Sequence, residues 1–267
     1  MVELPTTLVD ITPIFEAKDE SLTEKSELQL LLRKLYPIVS DKELIRLGPK
    51  QDGGYLVLND FIGIEACFSP GVAYSSGFEK DCANLGMKVF LADKSVEGPA
   101  ETHQLFHFTK KFIGITSNDE FITLDDWVTS SIPEQNSDLL LQIDIEGGEY
   151  EVFLSASGAL MQRFRIIVAE FHYLDRLWDQ AFFERAKQVF DKILGTHACM
   201  HIHPNNYCSP IQKDGLIIPP VMEFTFLRND RINKYNSSYQ RAFPNPLDCD
   251  NFNTHPPLVL PKCWYSE

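Results

Sequence analysis

The stretch Leu139–Tyr150, LLLQIDIEGGEY, constrains this chain more than any other. An apolar run ends in two carboxylates, Asp144 and Glu146, then in Gly147–Gly148, and a helical pattern follows. A strand covered on both faces reads as an unbroken apolar run. The segment therefore predicts a buried parallel strand that delivers acids to the rim of a sheet. In open α/β sheets, ligands bind beyond the carboxyl ends of the strands. Asp144 is expected at that rim. The competing reading makes Asp144 or Glu146 a cap on the next helix.

The flanking sequence repeats the pattern. Ala66–Gly71, Lys88–Ala92 and Arg165–Phe171 read as further strands, and Phe106–Ile115 holds one or two short ones. Helices are expected over Ser75–Leu85, Glu149–Leu160 and Trp178–Leu194, with a short turn at Leu124–Val128. Alternating strands and helices predict an α/β fold with a mainly parallel sheet and right-handed crossovers. Met200–Ile202 and Val221–Leu227 read as an antiparallel pair closing one sheet edge. Before the repeat, Ser21–Tyr36 forms an amphipathic pattern with Leu28, Leu30, Leu31, Leu32 and Leu35 on its apolar side. Leu44–Leu58 reads as a hairpin or tight loop around Gly53–Gly54. These readings divide the chain into an N-terminal arm and helix (1–43), one main domain (44–227) and a C-terminal wrap or tail (228–267).

Composition narrows the partners. A net charge of −14 and the absence of a basic patch argue against nucleic acid. No apolar run reaches the ~20 residues of a membrane span. The first thirty residues carry Glu3, Asp10, Glu16, Asp19 and Glu20 rather than the basic start and apolar core of a secretory signal, so a cytoplasmic protein is expected. The six scattered cysteines read as reduced thiols. A zinc site from Cys199, His201, His203 and Cys208 would have an unusual spacing.

Several groups could carry chemistry. The turn Ser69–Gly77 contains Gly71, Tyr74 and Ser75 and precedes a helix N-terminus, but it lacks the G-x-G-x-x-G fingerprint. Asp93 ends the next strand, at the offset where an acid holds ribose hydroxyls in nucleoside-binding folds; a surface turn is the plain alternative. Glu170 and His172 alternate onto one face at the end of a strand expected beside Asp144. Histidine is the natural general base near neutral pH. His201 and His203 share a face just before Asn205–Asn206.

LLLQIDIEGGEYEVF resembles the hallmark segment of the FkbM family of S-adenosylmethionine-dependent methyltransferases. Ile122-Thr123-Leu124-Asp125-Asp126 is similar to that family's T-L-D-D turn, RIIVAEFH at 165–172 looks like its next strand, and Asp52-Gly53-Gly54-Tyr55 resembles an upstream D-G-G-Y element. The resemblance implies a Rossmann-like class I methyltransferase sandwich and methyl transfer to oxygen on a sugar, nucleotide-sugar or other small metabolite. It implies that the Gly71 turn holds the methionine part of S-adenosyl-L-methionine, Asp93 the ribose, and the Phe112–Thr116 loop with Ile115 the adenine, while Asp144 borders the sulfonium. Ser69 and Ala73 depart from the class pattern acid-x-Gly-x-Gly, so Asp144 or Asp52 would contact the donor's amino group. His172 is expected as base, oriented by Asp144 or Glu170, with His201 or His203 as alternatives. A divalent ion on Asp144, Glu170 and His172 could replace that base. A nicotinamide oxidoreductase and a non-catalytic binding protein on the same fold are the competing functions. The Pro- and aromatic-rich tail could cover a neighbour in an oligomer.

Overall fold

The computed structural model describes residues 21–72, 74–233, 238–239 and 242–266. The arm expected over 1–20, and Ala73, lie outside the described residues. The core is a seven-stranded sheet. Its strands in chain order are β1 (Ile64–Pro70), β2 (Lys88–Ala92), β3 (Phe106–Thr109), β4 (Asp138–Ile143), β5 (Phe164–Phe171), β6 (His197–Pro204) and β7 (Met222–Arg228). Across the sheet they run β6-β7-β5-β4-β1-β2-β3. The pairs from β5 to β3 are parallel, and β7 lies antiparallel between β5 and β6. The strand order reverses between β4 and β1, which makes their carboxyl ends the topological switch point.

The unbroken apolar runs are explained by burial on both faces. Leu139, Leu141 and Ile143 of β4 enter one core with Trp127, Phe153 and Phe171, while Leu140 enters the other with Val57, Phe78 and Val89. All eight residues of β5 are buried. The helices α1 (Lys25–Lys34), α2 (Gly77–Asn84), α3 (Leu124–Ser131), α4 (Glu149–Ser155), α5 (Gly158–Arg163) and α6 (Gln180–Leu194) accompany the sheet. Among the described residues, none is long and apolar enough to cross a membrane.

Some boundaries differ from the periodicity. The helix expected over Glu149–Leu160 breaks at Ala156, because Ser157 adopts an extended conformation and caps α5 by accepting the Leu160 N–H. Asp125 fixes the break by accepting the Ser157 N–H at 2.9 Å. α6 starts at Gln180 rather than Trp178, since Asp179 caps it and Leu174–Trp178 forms a 3-10 turn. Leu30 is exposed rather than on the apolar side of α1, whose buried stripe is Leu28, Leu31 and Leu32. The hairpin is present: Leu44–Leu47 pairs antiparallel with Tyr55–Leu58.

Candidate functional site

The site is built at the carboxyl ends of β1, β2, β4, β5 and β6 and at the amino end of the antiparallel β7. β1 ends in Pro70, and Gly71 turns the chain with φ +89°. A Cβ at Gly71 would lie 1.7 Å from the Asp144 carbonyl oxygen, so only glycine lets this turn press against the end of β4. α2 follows, and its N-cap Ser76 makes no side-chain cap. Ser69 stands where the class pattern has an acid. Its Oγ lies 2.6 Å from Glu79 Oε1 of α2 and 2.5 Å from Gln142 Oε1 of β4. A buried acid is therefore restored at this place by the helix instead of the strand, and burial raises the Glu79 pKa.

Asp93 sits just past β2 and is largely buried. Its Oδ2 accepts the Val72 N–H at 3.0 Å, and its Oδ1 accepts from the Ser95 N–H and hydroxyl at 2.6 Å. It thus ties the turn after β1 to the turn after β2. Oδ1 is thereby filled, while Oδ2 keeps a second lone pair for one further donor. Tyr74 and Ile115 are exposed, and Ser75 Oγ accepts the Gly77 N–H at 3.3 Å.

Asp144 leaves the strand one residue beyond Ile143, and Glu146 follows in the left-handed region with φ 56°. Such a conformation is costly for a non-glycine residue and is held here by its neighbours. Gly147 has φ +101°, and a Cβ there would meet the Tyr173 ring at 2.3 Å. Glu149, fully buried, folds back from α4; its Oε1 accepts the N–H groups of Ile145 at 2.9 Å and Gly147 at 3.2 Å. The cap on this turn is therefore Glu149, and Glu146 is an exposed acid at its rim.

His172 follows β5, and its backbone carbonyl accepts the Tyr150 hydroxyl at 2.7 Å. Its Nε2 lies 3.9 Å from Asp144 Oδ1, 3.4 Å from Glu146 Oε2 and 3.7 Å from Glu170 Oε1, and its Nδ1 3.3 Å from Glu149 Oε1. Four acids converge on one imidazole. Burial works against the charged ring, but the carboxylates, Glu149 foremost, outweigh it and raise the His172 pKa to about 9. Burial among like charges pushes Asp144 up to about 7, against the pull of His172. Glu170 is raised well above the carboxylate range by burial and by Asp144.

The other two histidines take a different partner. His201 Nε2 lies 2.8 Å and His203 Nδ1 3.8 Å from Asp248 Oδ1 in the tail. They share a face, as alternation predicts, but that face meets the tail rather than Asp144. Despite its own burial, Asp248 is held well below the usual carboxylate range by these two imidazoles. Cys199 points at the His201 carbonyl instead of joining a zinc set; the strand register shifts between the two. Among the described residues, the group with metal-ligand spacing is Asp144, Glu149 and His172, so Glu149 takes the place expected for Glu170.

A clasp closes this side of the cleft. Asn251 of the tail donates to Glu223 Oε1 of β7 at 2.7 Å and to Asp52 Oδ1 at 3.3 Å, and its carbonyl accepts the Asp52 N–H. Asn205 donates to Glu170 Oε1 at 3.1 Å. Tyr55, directly after the Gly53–Gly54 pair, places its hydroxyl 3.5 Å from Asp144 Oδ2 and accepts from Gln142 Nε2 at 3.3 Å.

Sequence reasoning missed Tyr55, Glu79, Glu149, Glu223 and Asn251. Glu149 was discoverable, because an acid in a first helical turn, directly after a Gly pair, is placed to bond that turn's N–H groups. Asn251 carried no signal, since its partners are 28 and 199 positions away.

A seven-stranded sheet with one antiparallel strand beside its edge, a glycine turn after the first strand and an acid after the second define a Rossmann-like methyltransferase fold. Residues 69–195 match the methyltransferase FkbM domain model. The matched segment, just under half of the chain, is similar to FkbM methyltransferase domains, and the chain is a methyltransferase. No curated protein sequence matches it. Among solved structures it is similar to a variant of the 16S rRNA (adenine(1408)-N(1))-methyltransferase from Catenulisporales acidiphilia, at 8% identity and a TM-score of 0.29, over 73% of this chain and 97% of that one.

Proposed function

We propose that this methyltransferase transfers a methyl group from S-adenosylmethionine to a hydroxyl of a sugar or other small polar metabolite. One observation carries the acceptor class. Asp144 Oδ1, Glu170 Oε2 and Asn251 Oδ1 are buried acceptor atoms without a hydrogen-bond partner. Buried acceptors want donors. A molecule rich in hydroxyl groups supplies them, whereas the phosphates of a nucleotide-sugar would meet a wall of acids.

The residues around the Gly71 turn fit the donor. The turn is pressed onto Asp144, α2 opens toward it without a side-chain cap, and Asp93 Oδ2 retains a lone pair for a ribose hydroxyl. When bound, S-adenosylmethionine supplies an electrophilic methyl group. Glu170 in its ionised form, with its free Oε2, would accept the hydroxyl proton as the methyl passes from sulfur to oxygen and the donor leaves as a neutral thioether. Among the described residues His172 is the cationic partner of Asp144 and Glu170 and holds both in place; the role of proton acceptor thereby passes from His172 to Glu170. The clasp of Asp52, Glu223 and Asn251 lines the acceptor side and keeps water out.

Calorimetry with S-adenosylmethionine and with NAD+ tests the donor, and labelled methyl donor with a panel of sugars and polyols, read by mass spectrometry, tests the acceptor. Donor binding and a methyl ether product are expected. NAD+ binding without S-adenosylmethionine binding would support an oxidoreductase instead, and binding of neither a non-catalytic protein.

A further inference from the structure

The acids around His172 are not balanced by protein cations. Among the described residues, the ion-pair partner of Asp144, Glu146, Glu149 and Glu170 is His172 alone. Among the described residues, no lysine or arginine bridge to any of the four is seen. Three atoms in this cluster are also buried without a hydrogen bond: Asp144 Oδ1, Glu149 Oε2 and His172 Nδ1. Glu149 is wholly buried and His172 is 8% exposed. Orphaned polar atoms that deep call for a ligand, and an acceptor hydroxyl is one donor for several of them.

We propose that Asp144, Glu149 and His172 form a divalent-cation site in this chain. One ligand atom from each lies within 4.8 Å of the others. Three elements deliver them: the end of β4, the first turn of α4 and the end of β5. The positions are fixed beforehand. Glu149 Oε1 is spent on the N–H groups of Ile145 and Gly147, which orients Oε2, and the His172 backbone is tied to Tyr150. Outer bonds of this kind orient metal ligands. Glu146, exposed at the rim and 3.4 Å from the ring, stands at the open side of the set. One imidazole and two carboxylates suit a cation of the Mn2+ kind, which accepts both oxygen and nitrogen. In the reaction proposed above, such an ion would lower the pKa of the acceptor hydroxyl, with Glu170 still free to take its proton. That role rests on the methyl-transfer reading; the site itself does not.

The test is titration of the full chain with Mn2+, read by electron paramagnetic resonance and calorimetry. One Mn2+ per chain is expected for the wild type. Asp144→Asn and Glu149→Gln should each weaken it at least about 10-fold. Glu149→Gln keeps an acceptor for the Ile145 and Gly147 N–H groups, and Asp144→Asn leaves that turn untouched, so loss in both cannot be a folding defect of either. Wild-type protein that takes up no Mn2+, or variants that bind it equally well, would overturn the site. S-adenosylmethionine is titrated in parallel. Donor binding without Mn2+ binding removes the cation and leaves the methyl-transfer reading standing; Mn2+ binding without donor binding does the reverse.

Discussion

The two ends of the central sheet use the same residue types for opposite ends. At the amino end, charges are paired. Asp138 takes Arg228 at 2.6 Å and Arg165 at 2.8 Å, Arg165 also donates to the Asp60 and Ile62 carbonyls, and Arg231 bonds both oxygens of Asp60. Asp60 and Asp138 are both held below the usual carboxylate range by these guanidinium groups despite their burial. The shallow pocket there, about 480 Å³, is lined by Asp138, Arg163, Arg228 and Asp230, all of them already engaged. At the carboxyl end, acids outnumber cations, oxygens are left without partners, and Asp144 and Glu170 are pushed up instead of down. A protein has no reason of stability to crowd acids in that way. Satisfied charge marks the end that holds the sheet together, and unsatisfied charge marks the end that waits for a ligand.

This contrast can be broken by substitution. The largest effect is expected for His172→Ala, which removes the group that holds Asp144 and Glu170 in place and should lower turnover about 10²-fold while leaving S-adenosylmethionine binding nearly intact. Steady-state kinetics with calorimetry of the donor checks it; unchanged turnover would remove His172 from the site. At the other end, Arg165→Met should leave turnover of the folded enzyme alone but cost about 3 kcal/mol of stability, because it takes one of two guanidinium partners from Asp138 and leaves two backbone carbonyls without their donor. Denaturant unfolding reads this, and a loss of activity at unchanged stability would contradict the division between the two ends.

The smallest effect is in the pH dependence of stability. His197 at the start of β6 is buried, with Nε2 2.7 Å from the Phe164 carbonyl, and burial lowers its pKa from 6.5 to about 4. The unfolded chain then binds this proton more tightly than the folded one. The stability it protects is present above about pH 6.5 and is lost progressively as pH falls toward 4, by up to about 3 kcal/mol. His197→Gln should flatten that part of the curve relative to wild type in unfolding titrations at stepped pH.

Much of this was readable in the chain. The apolar run at 139–143 specified a strand covered on both faces, and its ending in Asp144 placed the rim. The Glu170–His172 spacing brought both toward Asp144, and Gly71 and Asp93 marked the two turns that meet through the Val72 N–H. What was not readable depends on long-range pairing. Alternation gave His201 and His203 a common face but not the Asp248 opposite them, 47 and 45 positions away (248 − 201 and 248 − 203). The split at Ala156 hid because a Ser157 cap competes with a helical pattern that runs past it. The replacement of the acid at Ser69 by Glu79 needed the geometry of α2 against β1.

The clasp of Asp52, Glu223 and Asn251 lies wholly outside the 69–195 segment shared with the FkbM domain. This wall of the cleft is thus built from what precedes and follows the matched segment, so a change at Asp52, Glu223 or Asn251 alters the wall while the Gly71 turn keeps its own fixings.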